Sequence, residues 1–170
     1  GPGTVQLGVQ TSPPSIVIAT GNPHKVTELR AIFADAGIAV LGLKDLPGHE
    51  RFVEPEEHGT TFEANARIKA TSYAAQTGRI CLGDDSGIEI SALGGPPARP
   101  GVISSHYSTD GRETGLSRDE RDAANIARVL RELEGVPAEK RSARFACCMC
   151  VATPEGRVLA ESRGEFEGRI

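Results

Sequence analysis

The sequence predicts a single domain of the α/β class. The first recognisable unit has the order strand, loop, helix and strand, which is typical of a βαβ arrangement. A second helical stretch and two further apolar runs follow, and the last part of the chain has the pattern of a β-hairpin. With 170 residues, the chain is long enough to form one domain with a hydrophobic core.

The first unit begins with a short β-branched run at residues 15–19, which predicts a strand. Asn22 is a favourable N-cap, and Pro23 suits the first helical position because its missing N–H costs nothing there. Apolar residues at helical spacing continue to Gly37, which ends the predicted helix. Residues 38–43 then predict a second strand.

Residues 44–60 predict a loop with an acidic cluster at residues 54–57. A helix is expected at residues 61–76, and a threonine is available to cap it. Its apolar stripe consists of Phe62, Ala66, Ala70 and Tyr73. Asn65 and Lys69 are four residues apart and share another face of this helix.

The apolar runs at residues 79–82 and 88–90 predict two strands. The segment Gly83-Asp84-Asp85-Ser86-Gly87 is expected to form the turn between them. Downstream, the pattern predicts a helix at residues 119–134 and a hairpin of strands at residues 144–152 and 157–165. The residues of that helix expected to face the core are Ala123, Ile126, Ala127, Leu130 and Leu133.

Composition disfavours several classes of function. The net charge of −4 and an aromatic content of 4% without tryptophan argue against a nucleic-acid binder, which needs a basic surface or stacking side chains. No apolar run approaches the ~20 residues of a membrane span, and no signal peptide is recognisable. Residues 1–14 are expected to be a leader or a cloning remnant outside the domain. These features predict a cytoplasmic protein.

The four cysteines allow two interpretations. Three of them, Cys147, Cys148 and Cys150, are close together and suggest metal binding. However, neighbouring residues of a strand point to opposite faces, and no Cys-x-x-Cys pair or nearby histidine completes a zinc site. Buried strand cysteines in a reducing cytoplasm are therefore the preferred interpretation, and they include Cys81.

The acidic segment at residues 83–87 is the first candidate site. Adjacent carboxylates repel each other, so a fold that keeps them either provides a cation or raises the pKa of one of them. The alternative is an ordinary Asp-rich turn, in which Ser86 and Gly87 serve only the backbone conformation. These five residues alone leave both interpretations open.

The loop from Thr20 to Lys25 is the second candidate site. Gly21 lets the backbone approach a ligand, the helix that starts after Asn22 offers free N–H groups, and Lys25 adds a cation, a combination that suits phosphate. Lys69 is a further candidate cation. The alternative interpretation is that this helix is simply well capped and that Lys25 and Lys69 are solvated surface residues.

The acids at residues 54–57, together with Asp84 and Asp85, could supply a Mg²⁺ site, since Mg²⁺ prefers one or two carboxylates with phosphate oxygens.

Taken in order, four stretches resemble one family. They are A-T-G-N-P-H-K, E-E-H-G-T-T-F-E-A-N-A-R-I-K-A, D-D-S-G-I-E-I and L-G-G-P-P-A-R-P-G-V, and Asn125 and Arg144-Phe145-Ala146 are similar as well. Together they resemble the inosine/xanthosine triphosphate pyrophosphatases from about Ser15 to Ile170. The resemblance implies an elongated mixed β-sheet flanked by helices, with two lobes and a central cleft. It also implies a homodimeric, Mg²⁺-dependent enzyme that cleaves ITP, dITP and XTP to the monophosphate and pyrophosphate, which removes them from the nucleotide pool.

The resemblance also implies residue roles. The residues that match substrate contacts are Thr20, Gly21, Asn22, Lys25, Lys69 and Ser86. Glu57 and Asp85 match the metal-binding acids, and Asp85 also matches the proposed general base, two roles that compete on one carboxylate. The role of Asp84, and whether Asp84 or Glu56 shares the metal, stay open.

The sequence departs from the family in two places. His106 stands where an arginine is common, and Arg99 is more simply interpreted as a loop residue than as its replacement. The family also continues past its G-R-I motif with segments that supply much of the nucleobase pocket. The domain at residues 15–170 is therefore expected to be truncated at its C-terminus. The main alternative to an ITP, dITP and XTP pyrophosphatase is a non-catalytic protein that binds nucleotides. Two further alternatives are a pyrophosphatase that acts on other nucleotides and a structural domain that binds no metal.

Overall fold

The structure is a computed structural model that describes residues 13–170, so most of the predicted leader lies outside the described residues. The helices are α1 (Pro23–Asp35), α2 (Phe62–Thr77) and α3 (Arg118–Glu132), and the strands are β1 (Ser15–Ala19), β2 (Ala39–Gly42), β3 (Cys81–Ile90), β4 (Ser142–Ala152) and β5 (Val158–Arg169). Short 3₁₀ segments join several of them, and the backbone at Gly101–Thr109 is interrupted by a kink. Within residues 13–170, no helix has the length and apolar character needed to cross a membrane.

The five strands form one mixed sheet in the order β2-β1-β3-β4-β5. β1 is parallel to both β2 and β3, whereas β3, β4 and β5 are antiparallel to their neighbours. β1 pairs with β3 only from Val17↔Cys81 to Ala19↔Gly83. Because β3 continues to Ile90, no strand of the described residues 13–170 pairs with its edge beyond Gly83 on that side, where Glu89 forms only an isolated bridge with Pro100. The sequence thus correctly predicted an α/β fold, and the mixed sheet flanked by helices is confirmed.

Helices α1 and α2 cover opposite faces of the parallel half of the sheet. Ile16 and Ile18 of β1 pack against Leu29 of α1, whereas Val17 and Ala19 pack on the side of α2. Successive residues of a strand point to opposite faces, which places the two helices on either side of β1. The predicted helix boundaries and the buried stripe of α2 are confirmed.

The predicted turn at residues 83–87 is wrong, because β3 runs without interruption through it. Every residue from Cys81 to Ile90 pairs with β4, including Asp84 with Met149 and Asp85 with Cys148. The glycines that suggested a turn are instead required by packing. A Cβ at Gly83 would lie 2.5 Å from the Ala70 amide nitrogen of α2.

Helix α3 forms where predicted, but its orientation differs from the expected one. Leu133 is fully buried, whereas Ile126 is 59% and Leu130 49% exposed, and Ala123 and Ala127 are exposed as well. The face that packs inward carries Val129 instead. The amide of Asn125 explains this rotation, since it accepts a hydrogen bond from the Ser108 N–H and donates one to the Ser105 carbonyl oxygen.

The cysteines occupy strand positions as predicted. Cys81, Cys148 and Cys150 are buried in the face of the sheet covered by α2, and Cys147 is half-buried on the other face. All four carry free thiols. Their small side chains allow α2 to lie close to β4, next to Ala146 and Ala152.

Candidate active site

The carboxyl end of β1 lies at a topological switch point of the sheet. The chain leaves β1 through α1 on one face to reach β2, and the connection from β2 to β3 runs through α2 on the other face. Adjacent connections that diverge in this way open a crevice at the strand ends, and ligands of open α/β sheets bind there. Thr20, Gly21 and Asn22 occupy this crevice directly after β1.

The loop at residues 20–22 ends in a well-formed helix cap. The Asn22 side chain accepts a hydrogen bond from the His24 N–H at 3.0 Å, and the Thr20 hydroxyl accepts one from the Asn22 N–H at 3.2 Å. No atom lies within 4 Å of the position that a Cβ would occupy at Gly21. The start of α1 therefore faces open space, where an anion is favoured by the helix dipole.

Asp84 and Asp85 point to opposite faces of β3, so these neighbours do not form one paired acidic turn. Asp84 lies on the α1 side and forms an ion pair with Lys25 from the first turn of α1. Asp85 lies on the α2 side, near Lys69 and Asn65. Each carboxylate therefore has a lysine on its own face.

Asp85 is held in an unusual environment. The residue is only 9% exposed, and its Oδ2 atom is buried without a hydrogen-bond partner. Burial, followed by the negative charge of Glu57, raises the pKa of Asp85 to about 6, although Asn65, Lys69 and the Ser86 backbone act in the opposite direction. A buried carboxylate with a raised pKa and an unused oxygen is a common feature of catalytic and metal-binding sites.

Glu57 and Lys69 form an ion pair near Asp85. The Lys69 Nζ atom lies 2.9 Å from Glu57 Oε1, and the Lys69 side chain is 17% exposed. Burial by itself would lower the pKa of Lys69, but the hydrogen bond and charge of Glu57 outweigh it, so the pKa is raised. The ammonium group therefore stays charged at neutral pH, with its carboxylate partner beside Asp85.

Ser86 lies next to Asp85 on the unpaired edge of β3. Beyond it, the Ser104 hydroxyl accepts a hydrogen bond from the Ile88 N–H at 2.9 Å and so covers the edge again. The open part of this edge thus lies between the end of β1 and Ser104.

Glu57 and Asp85 are the residues of this group that would hold a Mg²⁺ ion shared with a phosphate ligand. Within residues 13–170, no group of three or more His, Cys, Asp or Glu side chains is close enough to hold a metal by itself. Mg²⁺ commonly uses only one or two carboxylates and takes phosphate oxygens and waters as its other ligands. Glu57 and Asp85 fit this role, since a cation would relieve their repulsion and use the unpartnered Oδ2 atom.

The two residues that depart from the family pattern serve the loops in which they lie. His106 Nε2 lies 3.0 Å from Glu113 Oε2, and its Nδ1 lies 2.8 Å from the Ser105 hydroxyl. Arg99 donates to the Leu93 carbonyl oxygen at 3.0 Å. The interpretation of Arg99 as a loop residue agrees with this contact.

Sequence reasoning missed the role of two amide side chains on α2. Asn65 is 1% exposed and binds the backbone of Gly59, and Gln76 binds the backbone of Val53. The shared face of Asn65 and Lys69 was recognisable from their spacing of four residues. Their partners in the loop were not, because these contacts depend on how the loop folds back over α2.

Comparison with known proteins agrees with this geometry. The profile of the Ham1 family matches residues 16–170. The chain belongs to the Ham1 family. A dITP/XTP pyrophosphatase of Nitratidesulfovibrio vulgaris is 49% identical over 157 residues, which cover 92% of this chain and 71% of that protein. The dITP/XTP pyrophosphatase of Bacillus subtilis is 38% identical, with 88% of this chain and 74% of that protein covered.

Solved structures show the same fold. A HAM1 protein from Coxiella burnetii superimposes with a TM-score of 0.76 at 33% identity, which covers 92% of this chain and 73% of that one. The Ham1 protein of Staphylococcus aureus has a TM-score of 0.72 at 31% identity, with coverages of 92% and 71%. The family resemblance recognised in the sequence motifs is therefore confirmed, and so is the fold class.

Proposed function

We propose that this protein is a Mg²⁺-dependent nucleoside triphosphate pyrophosphatase that hydrolyses ITP, dITP and XTP to the monophosphate and pyrophosphate. The observation that carries the proposal is the group at the switch point, where the buried Asp85 carboxyl with its raised pKa lies near the Lys69–Glu57 pair, and the Lys25–Asp84 pair lies on the other face of the same strand. Membership of the Ham1 family and relatives named dITP/XTP pyrophosphatase support the substrate class.

In the proposed complex the triphosphate lies over the start of α1. The backbone at Thr20–Asn22 and the N-terminal end of the helix dipole favour phosphate oxygens there. Lys25 and Lys69 approach from the two faces of β3 and neutralise the phosphate charge. Both lysines are paired with carboxylates in this structure, so phosphate binding exchanges one anionic partner for another. Ser86 is proposed to donate a hydrogen bond from the open edge of β3.

The reaction breaks the bond between the α-phosphorus and the oxygen that bridges it to the β-phosphorus. A water attacks the α-phosphorus in line with that bond, and pyrophosphate leaves with the bridging oxygen. Asp85 is proposed to accept the proton of the water. In the metal-free protein, a carboxyl with a pKa of about 6 is largely ionised at pH 7 to 8 and is a stronger base than an ordinary aspartate, and a bound cation would lower that pKa.

Glu57 and Asp85 are proposed to hold the metal. Bound Mg²⁺ supplies positive charge to the phosphate oxygens, which carry the negative charge of the transition state. Glu57 would be free to hold the metal once Lys69 binds phosphate instead. Asp85 would hold it from the other side of the group, and its Oδ2 atom has no hydrogen-bond partner of its own.

The remaining expectations belong to the same proposal. The substrate is a free nucleotide in the cytoplasm, which agrees with the net charge of −4 and with four free thiols, since a reducing compartment keeps thiols unpaired. A homodimer is proposed from the family resemblance, and sedimentation at several protein concentrations tests it.

Release of pyrophosphate from ITP, dITP, XTP and ATP, each with and without Mg²⁺, tests the function. We expect turnover of the first three that depends on Mg²⁺, and much slower turnover of ATP. The Asp85→Asn variant serves as the inactive control. Calorimetric binding of ITP without pyrophosphate release would instead favour a non-catalytic nucleotide-binding protein, and the absence of both would contradict the proposal.

A further inference from the structure

The acidic loop that carries Glu57 is held almost entirely by side chains of α2. Within residues 13–170, no backbone–backbone hydrogen bond involves residues 53–60, although this segment has no regular secondary structure of its own. A loop of this kind is expected to sample many conformations unless other groups fix it. The position of Glu57 therefore depends on contacts made from outside the loop.

Two amide side chains hold the loop at its two ends in the same way. Asn65 accepts a hydrogen bond from the Gly59 N–H at 2.8 Å and donates one to the Gly59 carbonyl oxygen at 3.3 Å. Gln76 accepts from the Val53 N–H at 2.7 Å and donates to the Val53 carbonyl oxygen at 2.8 Å. Each amide thus satisfies both backbone groups of one loop residue, and we call these two contacts the amide clamps.

The clamp at Gly59 is also shaped by close packing. A Cβ at this residue would lie 2.6 Å from the Asn65 Oδ1 atom and 2.8 Å from the Ala64 Cβ atom. Contacts that short do not occur in folded proteins without displacement of one partner. Glycine is therefore needed here so that the loop backbone can reach the Asn65 amide.

The clamps differ from the Lys69–Glu57 ion pair, which lies between them, in one respect. The ion pair uses the two charged groups that the proposed reaction needs for phosphate and metal. The amide clamps use neutral groups that the proposed reaction does not need for phosphate, so exchange of the ion pair does not require them to open. Asn65 also lies near Asp85 and lowers the pKa of that carboxyl, which connects one clamp to the second proposed metal ligand.

We propose that Asn65 and Gln76 are positioning residues that fix the loop at residues 53–59 on α2 and so keep Glu57 beside Asp85. This inference rests on the proposed function, since it concerns the same metal and phosphate site. Asn65 has the larger effect, because Gly59 is two residues from Glu57 whereas Val53 is four residues away.

Hydrogen exchange of the metal-free protein tests the clamps independently of activity. In Asn65→Ala we expect the exchange of the Gly59 amide to accelerate about tenfold or more, because a hydrogen bond that holds a loop controls its local opening. Gln76→Ala is expected to accelerate exchange at Val53 instead. Asn125→Ala is the matched control, since Asn125 makes a similar pair of backbone hydrogen bonds with Ser105 and Ser108, far along the chain from the acidic loop.

Kinetics then separate positioning from a general loss of stability. We expect Asn65→Ala to raise the Mg²⁺ concentration for half-maximal pyrophosphate release about tenfold and to lower kcat, with a smaller change in the KM for nucleotide at saturating Mg²⁺. Gln76→Ala should show the same pattern more weakly, and because Gln76 is exposed, its replacement is expected to leave the core intact. Asn125→Ala should leave the Mg²⁺ requirement unchanged.

A double-mutant cycle with Gly59→Ala gives a second test, which disturbs the clamp from the loop side. Gly59→Ala alone forces the loop away from Asn65. With Asn65→Ala present, the contact with Oδ1 is removed and only the contact with the Ala64 Cβ atom is left, so the two effects on the Mg²⁺ requirement should be less than additive.

The outcomes distinguish this inference from the proposed function. Additive effects in the cycle, or an Asn65→Ala variant with faster exchange but wild-type kcat and Mg²⁺ requirement, would overturn the positioning role and leave the function intact. A shift of the Mg²⁺ requirement in Asn125→Ala equal to that in Asn65→Ala would also overturn it. If the wild-type protein fails to release pyrophosphate, the proposed function itself is refuted.

Discussion

The Asp85→Asn substitution tests the electrostatics of the site most directly. Asparagine has nearly the same shape as aspartate but carries no charge, so it removes the cost of burying an ionised carboxylate while it keeps the packing. The wild-type carboxyl is 9% exposed, has an unpartnered Oδ2 atom and lies in the field of Glu57. We therefore expect the substitution to stabilise the metal-free protein at neutral pH and to abolish pyrophosphate release.

The magnitude follows from the pKa of Asp85, which rises from 3.8 to about 6. At about 1.4 kcal/mol per pKa unit, the ionised form is disfavoured in the folded state by about 3 kcal/mol at most. Solvent and local relaxation reduce such costs, so we expect the free energy of unfolding of Asp85→Asn to exceed that of the wild type by on the order of 1 to 2 kcal/mol.

The pH dependence has a definite sign. The pKa of Asp85 in the folded protein lies above its unfolded value, so the folded state binds the proton more tightly. The contribution of Asp85 to the free energy of unfolding is therefore greatest at low pH and falls as the pH rises from about 4 to about 6. The variant lacks this contribution, and its advantage over the wild type should appear across that range and stay constant above it.

Urea denaturation between pH 4 and pH 8, with EDTA present, measures this difference. Asp122→Asn is the control, because Asp122 lies on an exposed part of α3. Added Mg²⁺ should raise the free energy of unfolding of the wild type and have a much smaller effect on Asp85→Asn, since ligands stabilise the state that binds them. An Asp85→Asn protein that is no more stable than the wild type at pH 7, or a difference that is the same at pH 4 and pH 7, would refute the reasoning.

Three further predictions concern the site and the packing around it. Gly83→Ala should destabilise the protein by about 3 kcal/mol or more, since its Cβ would lie 2.5 Å from a backbone nitrogen of α2, and thermal unfolding measures this. Leu133 is 0% and Ile126 59% exposed, so Leu133→Ala should lower the free energy of unfolding by about 2 to 5 kcal/mol and Ile126→Ser should change it by less than about 0.5 kcal/mol. Urea denaturation measures both, and equal losses would contradict the orientation of α3. Glu57→Gln should raise the Mg²⁺ concentration needed for pyrophosphate release about tenfold or more. Glu56 is exposed next to it, and Glu56→Gln should leave this concentration unchanged. Identical kinetics of the two variants would exclude Glu57 as a metal ligand.

The sequence predicted the local features well because they depend on neighbouring residues. The Asn22 and Thr61 caps, the ends of α1 and α2 and the buried stripe of α2 all follow from hydrogen bonds and periodicity within a few residues. The motif order also identified the family before any fold was known. The residues assigned to phosphate and metal lie in the loop after β1 and on both faces of the neighbouring strand β3, and their roles stay predictions.

The errors occurred where distant contacts override local signals. Gly83 and Gly87 suggested a turn, but both are glycine because other parts of the chain leave no space for a side chain. A Cβ at Gly87 would lie 2.6 Å from the Gly101 carbonyl oxygen. Likewise, periodicity found the apolar residues of α3, but the hydrogen bonds of Asn125 decide which of them face inward.

The sequence by itself therefore determined the element types, the caps and the set of charged residues available for chemistry. Only the tertiary structure decided that Asp84 and Asp85 face opposite sides of one strand, each towards its own lysine. It also decided that the amides of Asn65 and Gln76 hold the loop that carries Glu57. The physical reason is that a side chain's type fixes what it can bind, whereas its burial and its partner depend on segments far away in the chain.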